Sequence, residues 1–223
     1  MLLFFRHRNT SDPVIEAFEE STLETLRLKF SGTLWVLPHL YDLPDSSEEF
    51  QGIRDNTRDG EPTFAFSWLP IRAAFERLRQ RIGATELTCF DLAEMQDSMQ
   101  DSAVALDSLS YPECAISTDV RRVDKPFQRR WYPIIDYQVC QNCLECVNFC
   151  LFGVYTIQED RTPLVEQPDH CRDGCPACSR VCPAGAILFP EYDDPIIAGR
   201  QKRAETVESP AKDDLDRLID QVG

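Results

Sequence analysis

Eight cysteines crowd into two short runs of this chain, and no other feature restricts its fold so strongly. The first run reads C-x2-C-x2-C-x3-C and consists of Cys140, Cys143, Cys146 and Cys150. The second reads C-x3-C-x2-C-x3-C-P and consists of Cys171, Cys175, Cys178 and Cys182, with Pro183 behind it. Apolar, strand-like stretches flank both: "YPIID" and "GVYTI" around the first, "PLVE" and "AILFP" around the second. The two runs are therefore an internal repeat. Structural zinc sites usually pair two C-x2-4-C knuckles across a longer spacer, unlike a compact run of four cysteines that occurs twice. Disulfide frameworks belong mainly to short secreted chains. Here a long preceding region holds only Cys89 and Cys114 of the ten cysteines. Polynuclear metal ligation in a reducing compartment fits best.

The region 130–192 resembles bacterial-type ferredoxins that carry two [4Fe-4S] clusters. A cubane cluster needs one thiolate at each of four irons, and in such proteins the fourth comes from the other repeat. By that rule, the resemblance implies one cluster on Cys140, Cys143, Cys146 and Cys182, and a second on Cys171, Cys175, Cys178 and Cys150. The sequence departs from the family pattern twice. One extra residue separates Cys171 from Cys175, with Gly174 in the enlarged loop, and Leu151 replaces the proline expected after Cys150. Both ligand sets stay complete. Val147, Phe149, Phe152, Val154, Tyr155, Val181, Ile187 and Phe189 are expected to shield the clusters from water.

The expected fold is a small parallel α/β sheet domain followed by an α+β ferredoxin-type domain. Residues 1–92 alternate strand-like runs ("LLFF", "TLWVLP", "TFAFSWL", "ELTCFDL") with helix-like segments, the pattern of a small parallel sheet with helices on its faces. Asp12 and Pro13 open the first helix and Gly32 is read as its stop. Leu26, Leu28 and Phe30 also alternate as a strand would. "DSSEEFQGIRD" reads as a short polar helix. In "PIRAAFERLRQRIG", Phe75, Leu78 and Ile82 fall on one helical face and Gly83 ends it. Residues 93–125 read as connection, with one helix at 93–108. The organisation is then 1–125, an α/β domain with its linker; 126–199, the two-cluster domain; and 200–223, a charged flexible tail.

Net charge is −15. That disfavours nucleic acid, which needs clustered Lys and Arg, and suits basic redox partners through steering. No apolar stretch approaches the roughly 20 residues of a membrane span. Arg6, His7 and Arg8 follow "MLLFF", the reverse of a signal peptide's order, so a cytoplasmic location is expected. His7 and His39 each follow a strand, at the sheet edge where ligands bind in such folds. The first segment, through "AFEEST", is also faintly similar to small sirohydrochlorin-type chelatases, though Arg8 stands where they carry glycine. Cys89 reads as a core thiol. Arg72, Arg77, Arg79 and Arg81 read as a solvated helix face, with anion or partner docking as the alternative. "RRVDKPFQRRW" at 121–131 is a local basic stretch. No phosphate loop, nucleotide fingerprint or Ser-His-Asp set occurs. The expected function is one-electron relay between a redox donor and an acceptor, with the α/β domain docking or regulating. The alternatives are a redox enzyme or enzyme subunit whose α/β domain binds substrate or cofactor, and a scaffold or sensor in which the clusters serve structure.

Overall fold

The computed structural model describes residues 1–9, 11–30, 32–44, 46–57, 62–84, 86–97, 119–123 and 128–201. Its first half is a five-stranded parallel sheet. The strands are β1 (Leu2–Phe5), β2 (Thr33–Leu37), β3 (Thr63–Ser67), β4 (Leu87–Asp91) and β5 (Asp119–Arg122), ordered β4-β3-β1-β2-β5. Helices α1 (Pro13–Lys29), α2 (Glu48–Asn56) and α3 (Ile71–Ile82) connect them, and α4 (Leu92–Asp97) follows β4. Successive strand side chains point to opposite faces. Leu3, Phe5, Trp35 and Leu37 therefore enter one core with Phe50 and Ile53 of α2 and Leu78 of α3. Leu2, Phe4, Leu34 and Val36 enter the other with Phe18, Leu23 and Leu26 of α1. A sheet covered on both faces needs continuous apolar strands, which is why "LLFF" and "TLWVL" do not alternate.

The helix signals act locally. Asp12 accepts hydrogen bonds from the amides of Val14 (2.9 Å) and Ile15 (3.4 Å), and Pro13 takes the first helical position. The strand-like alternation at 26–30 is overridden: Leu26 is buried and Leu28 is 78% exposed on the same helix. Gly32 is not the stop. Phe30, in an extended conformation, caps α1, and its amide donates to the Leu26 carbonyl (3.0 Å). Gly83 does end α3, at φ +66°, where a side chain would be strained. The expected connection 93–125 contains the helix α4 and the edge strand β5, which pairs in register with β2. The rest of the helix expected at 93–108 lies outside the described residues.

The second half holds β6 (Ile134–Ile135), α5 (Glu145–Phe149), β7 (Tyr155–Ile157), β8 (Pro163–Val165), a 3-10 turn (Pro168–His170), α6 (Ala177–Val181), β9 (Ile187–Leu188) and α7 (Pro195–Ala198). β6 pairs antiparallel with β9, and β7 with β8. The outer strands close around the inner hairpin, so the two repeats enclose one another. Trp131, Ile135, Ile187 and Phe189 form their core with Cys146, Cys178 and Cys182.

The halves share packing. Tyr132, Ile134 and Leu188 enter the core beneath α2 and α3. The rings of Tyr41 and Tyr132 lie 4.3 Å apart, and Tyr132 Oη donates to the Tyr41 carbonyl (2.9 Å). Arg72 donates to Asp136 through Nε (2.9 Å) and Nη2 (2.7 Å). Arg77 is 4% exposed and donates to the Leu43 carbonyl (2.5 Å). The expected solvated arginine face is thus corrected for these two: their heads serve the seam between the halves. Arg79 pairs with buried Glu76 at 3.0 Å.

Candidate metal centre

The repeat in the sequence is a repeat in the backbone. Cys146 and Cys178 are the second residues of α5 and α6, and Cys150 and Cys182 are the extended residues that cap them. Three residues after each cap stands a glycine with positive φ, Gly153 (+67°) and Gly185 (+61°). Cys140, Cys143, Cys171 and Cys175 lie in the loops before the helices. The first loop turns through Asn142 (φ +53°) and Leu144 (φ +63°), the second through Gly174 (φ +72°). Asn tolerates the left-handed region, whereas a leucine there is held at a cost by its surroundings. A Cβ at Gly174 would meet nothing within 4 Å, so the extra residue bulges toward solvent.

Thiols of the two runs come close enough to influence one another. Burial raises the Cys140 thiol, and Cys182 and Cys143 push it the same way. Cys146 is pushed up to about 12, by burial first, with Cys178, Cys140 and Cys182 as neighbouring thiols. Cys171 also rises to about 12 by burial, beside Cys178, Cys175 and Cys150. Cys178 rises to about 11 by burial, beside Cys150 and Cys175. Cys182 is thus a neighbour of Cys140 and Cys146, Cys150 of Cys171 and Cys178, and Cys146 of Cys178. A thiolate is the ligating form. Groups pushed this far up become thiolates only beside a strong positive charge.

Protein polar groups reach the sulfurs and their loops. The Ala186 amide donates to Cys182 Sγ (3.3 Å), and Cys140 Sγ donates to Asn142 Oδ1 (3.5 Å). Trp131 Nε1 donates to the Cys175 carbonyl (3.2 Å). Tyr155 has Cys178, Cys146 and Cys150 as neighbours. Of the expected apolar shield, Val154, Ile187 and Phe189 are buried, and Val147, Tyr155 and Val181 are half-buried. Phe149 and Phe152 are not part of it: they are 51% and 41% exposed. Among the described residues, no three His, Cys, Asp or Glu side chains converge on a point that would suit one metal ion.

Other candidates fall elsewhere. Cys89 is a buried thiol of β4, pushed up to about 12 by burial, and Cys114 lies outside the described residues. The order of the sheet reverses direction at β1, so the carboxyl ends of β1 and β3 form its switch point. His7 sits there, edge-on to Trp68 at 4.8 Å, and its amide donates to buried Glu19 (2.6 Å). His39 is buried just beyond β2, its Nδ1 without a hydrogen bond and 4.0 Å from Asp42 Oδ2, and burial and then Arg8 hold it down at about 3. A neutral imidazole results. Arg129 pairs with Glu191 (3.1 Å) and Arg130 with Asp169 (2.7 Å). This end of the basic stretch is thereby neutralised, and it lines a cavity of about 520 Å³ with Cys171 and Asp173. Sequence reasoning missed Tyr41 and Tyr132, which bring the α/β half against Cys171.

No family profile matches the chain. It is 42% identical over 66 residues to an uncharacterised ferredoxin of Methanocaldococcus jannaschii; the match covers 29% of this chain and 44% of that protein, so the chain spans less than half of that relative's length. A second uncharacterised ferredoxin of the same organism is 44% identical over 55 residues, which are 24% of this chain and 86% of its own. A ferredoxin of Methanothermococcus thermolithotrophicus is 42% identical over 59 residues, 26% of this chain and 95% of its own. Two of these relatives are covered over most of their length, and on that ground the chain belongs to the ferredoxin family, through a segment of about a quarter of its residues.

Proposed function

We propose that this protein relays single electrons through two [4Fe-4S] clusters, one on Cys140, Cys143, Cys146 and Cys182, the other on Cys171, Cys175, Cys178 and Cys150. The observation that supports the reading is the proximity of thiols from different runs: Cys182 neighbours Cys140 and Cys146, and Cys150 neighbours Cys171 and Cys178. The donor set fits such clusters. A cubane's four thiolates bind four different irons and need not converge on one point. Iron supplies the positive charge that buried thiolates demand, and each cluster would take up or release one electron. The protein's own groups hold and tune the site: the Ala186 amide at Cys182 stabilises sulfur charge, and the core around Trp131 and Phe189 restricts water. The 126–199 domain then has an α+β ferredoxin-type fold, and residues 1–125 dock or regulate. Partners are a redox donor and an acceptor. Nucleic acid is not a partner, and the setting is cytoplasmic. Anaerobic purification, iron and sulfide counting, and potentiometric electron paramagnetic resonance test the reading. Zinc in place of iron, without visible absorption, would refute it.

A second reading makes the α/β half a substrate- or cofactor-binding unit fed by the clusters. It is favoured by His39, a buried neutral imidazole at the carboxyl edge of the sheet, and by Tyr41 and Tyr132 between that edge and Cys171. An organic cofactor retained through purification separates this reading from the first.

A further inference from the structure

Superposing the repeats in sequence, Cys146 on Cys178, exposes an asymmetry. Glu145, Asn148, Phe149, Leu151 and Phe152 of the first corner correspond to Ala177, Arg180, Val181, Pro183 and Ala184 of the second. The second corner is small and cationic, and its own chain dresses it: Arg180 Nη2 donates to Tyr192 Oη (2.8 Å). The first corner is bare. Phe149, Leu151 and Phe152 are 51%, 90% and 41% exposed, around Cys150. Large apolar side chains in such a cluster on a surface mark an interaction site. The charge on the corner itself is acidic. Exposed Glu145 shares a helix face with Phe149, and no Lys or Arg occurs from Trp131 to Asp160; the β7–β8 turn carries exposed Glu159 and Asp160 beside one exposed cation, Arg161.

We propose that this corner is the docking surface for a redox partner that presents an apolar centre ringed by Lys and Arg. The inference rests on the electron-relay reading. A second copy of the chain does not fit the surface, because it would bring another acidic, apolar corner against this one, on a chain of net charge −15. The apolar centre supplies affinity and the acidic rim supplies orientation and encounter rate. One electron passes from the reduced chain to the partner's oxidised centre, or back. No bond and no proton moves.

Ferric cytochrome c, a basic one-haem protein, is the probe. Oxidised holoprotein is titrated with it calorimetrically at low ionic strength, and the chain's association state is read by sedimentation. Phe149→Gln with Leu151→Gln is expected to weaken binding about tenfold, or about 1.4 kcal/mol. Glu145→Lys is expected to weaken it as well, and Leu28→Gln, at an exposed leucine of α1, to leave it unchanged. Unchanged affinity in the Phe149/Leu151 variant overturns the proposal. So does a wild-type dimer that the same variant makes monomeric, since a second copy then covers the corner. Visible cluster absorption and reoxidation by ferricyanide are followed in every sample. Their absence from wild type defeats the relay reading itself, whereas their presence with unchanged affinity defeats only the docking surface.

Discussion

Arg77 carries a charge into the seam between the halves and survives there by stacking. Its guanidinium lies 5.3 Å from the ring centroids of both Phe50 and Tyr132 while it donates to the Leu43 carbonyl. A desolvated cation over aromatic faces is worth more than an exposed one. Arg77→Ala is expected to lower stability by about 3 kcal/mol, through a cavity and an orphaned carbonyl. Arg77→Lys is expected to recover less than half, since an ammonium cannot lie flat between two rings; urea midpoints of the two variants check both. Nothing near Arg77 in sequence discloses this. Its helix reads as amphipathic with a charged face, and the ring that buries it, Tyr132, is supplied by the far half of the chain. Glu19 is a second buried charge. Burial raises its pKa from 4.5, against the His7 amide, the Trp68 indole and Arg6. The folded state therefore holds the Glu19 proton more tightly than the unfolded chain does. That contribution is full below pH 4.5 and is lost as pH climbs through the raised value. Glu19→Gln is expected to flatten this loss in urea midpoints taken from pH 4 upward, and a parallel pH dependence in both proteins would count against it.

At the scale of elements, legibility followed how local each signal was. Asp12-Pro13 and Gly83 are cap signals that act within a turn, and they mark an end of α1 and of α3 as read. Asp194 accepts from the amides of Ile196 (2.8 Å) and Ile197 (3.4 Å), and with Pro195 and left-handed Gly199 it bounds α7 by the same chemistry. This short helix hides inside a polar stretch. β5 was invisible because "DVRR" has one apolar residue. It is an edge strand whose partner is the main chain of β2, and charged side chains are tolerated, even favoured, there. The cysteine spacing was fully legible as a repeat, but the proposed crossing of thiols depends on where α5 and α6 end. That crossing makes a prediction about elements. Cys150→Ala should perturb chiefly the cluster of the second run, and Cys182→Ala chiefly that of the first. Electron paramagnetic resonance of the two variants checks it. Each substitution disturbing only its own run would contradict the pairing.

Across the whole molecule, the sheet half has cores on both faces, yet borrows Tyr132, Ile134 and Leu188 from the other half. Residues 1–125 expressed alone are expected to unfold cooperatively, but with about 4 kcal/mol or more less stability than the full chain, for want of those side chains. Urea unfolding followed by circular dichroism checks this, and a transition as stable as the full chain's would show that the shared core adds nothing. The net charge acts at this scale too. Association with a basic redox partner is expected to slow steeply as salt rises through about 0.1 M, where screening acts over roughly 10 Å; a rate indifferent to salt in stopped-flow mixing would leave the charge only a solubilising role. Finally, the pairing of β6 with β9 ties Ile134 to Leu188, and this sets an order in time. The inner β7–β8 hairpin can close as soon as it leaves the ribosome, but Ile134 waits about 50 residues for its partner Leu188. At about 5–20 residues per second, that is roughly 3–10 s during which the first run of thiols stands unsheltered. A nascent chain of this topology is most vulnerable to oxygen before it is finished, and under the proposed crossed ligation metal delivered early would find only half of a site.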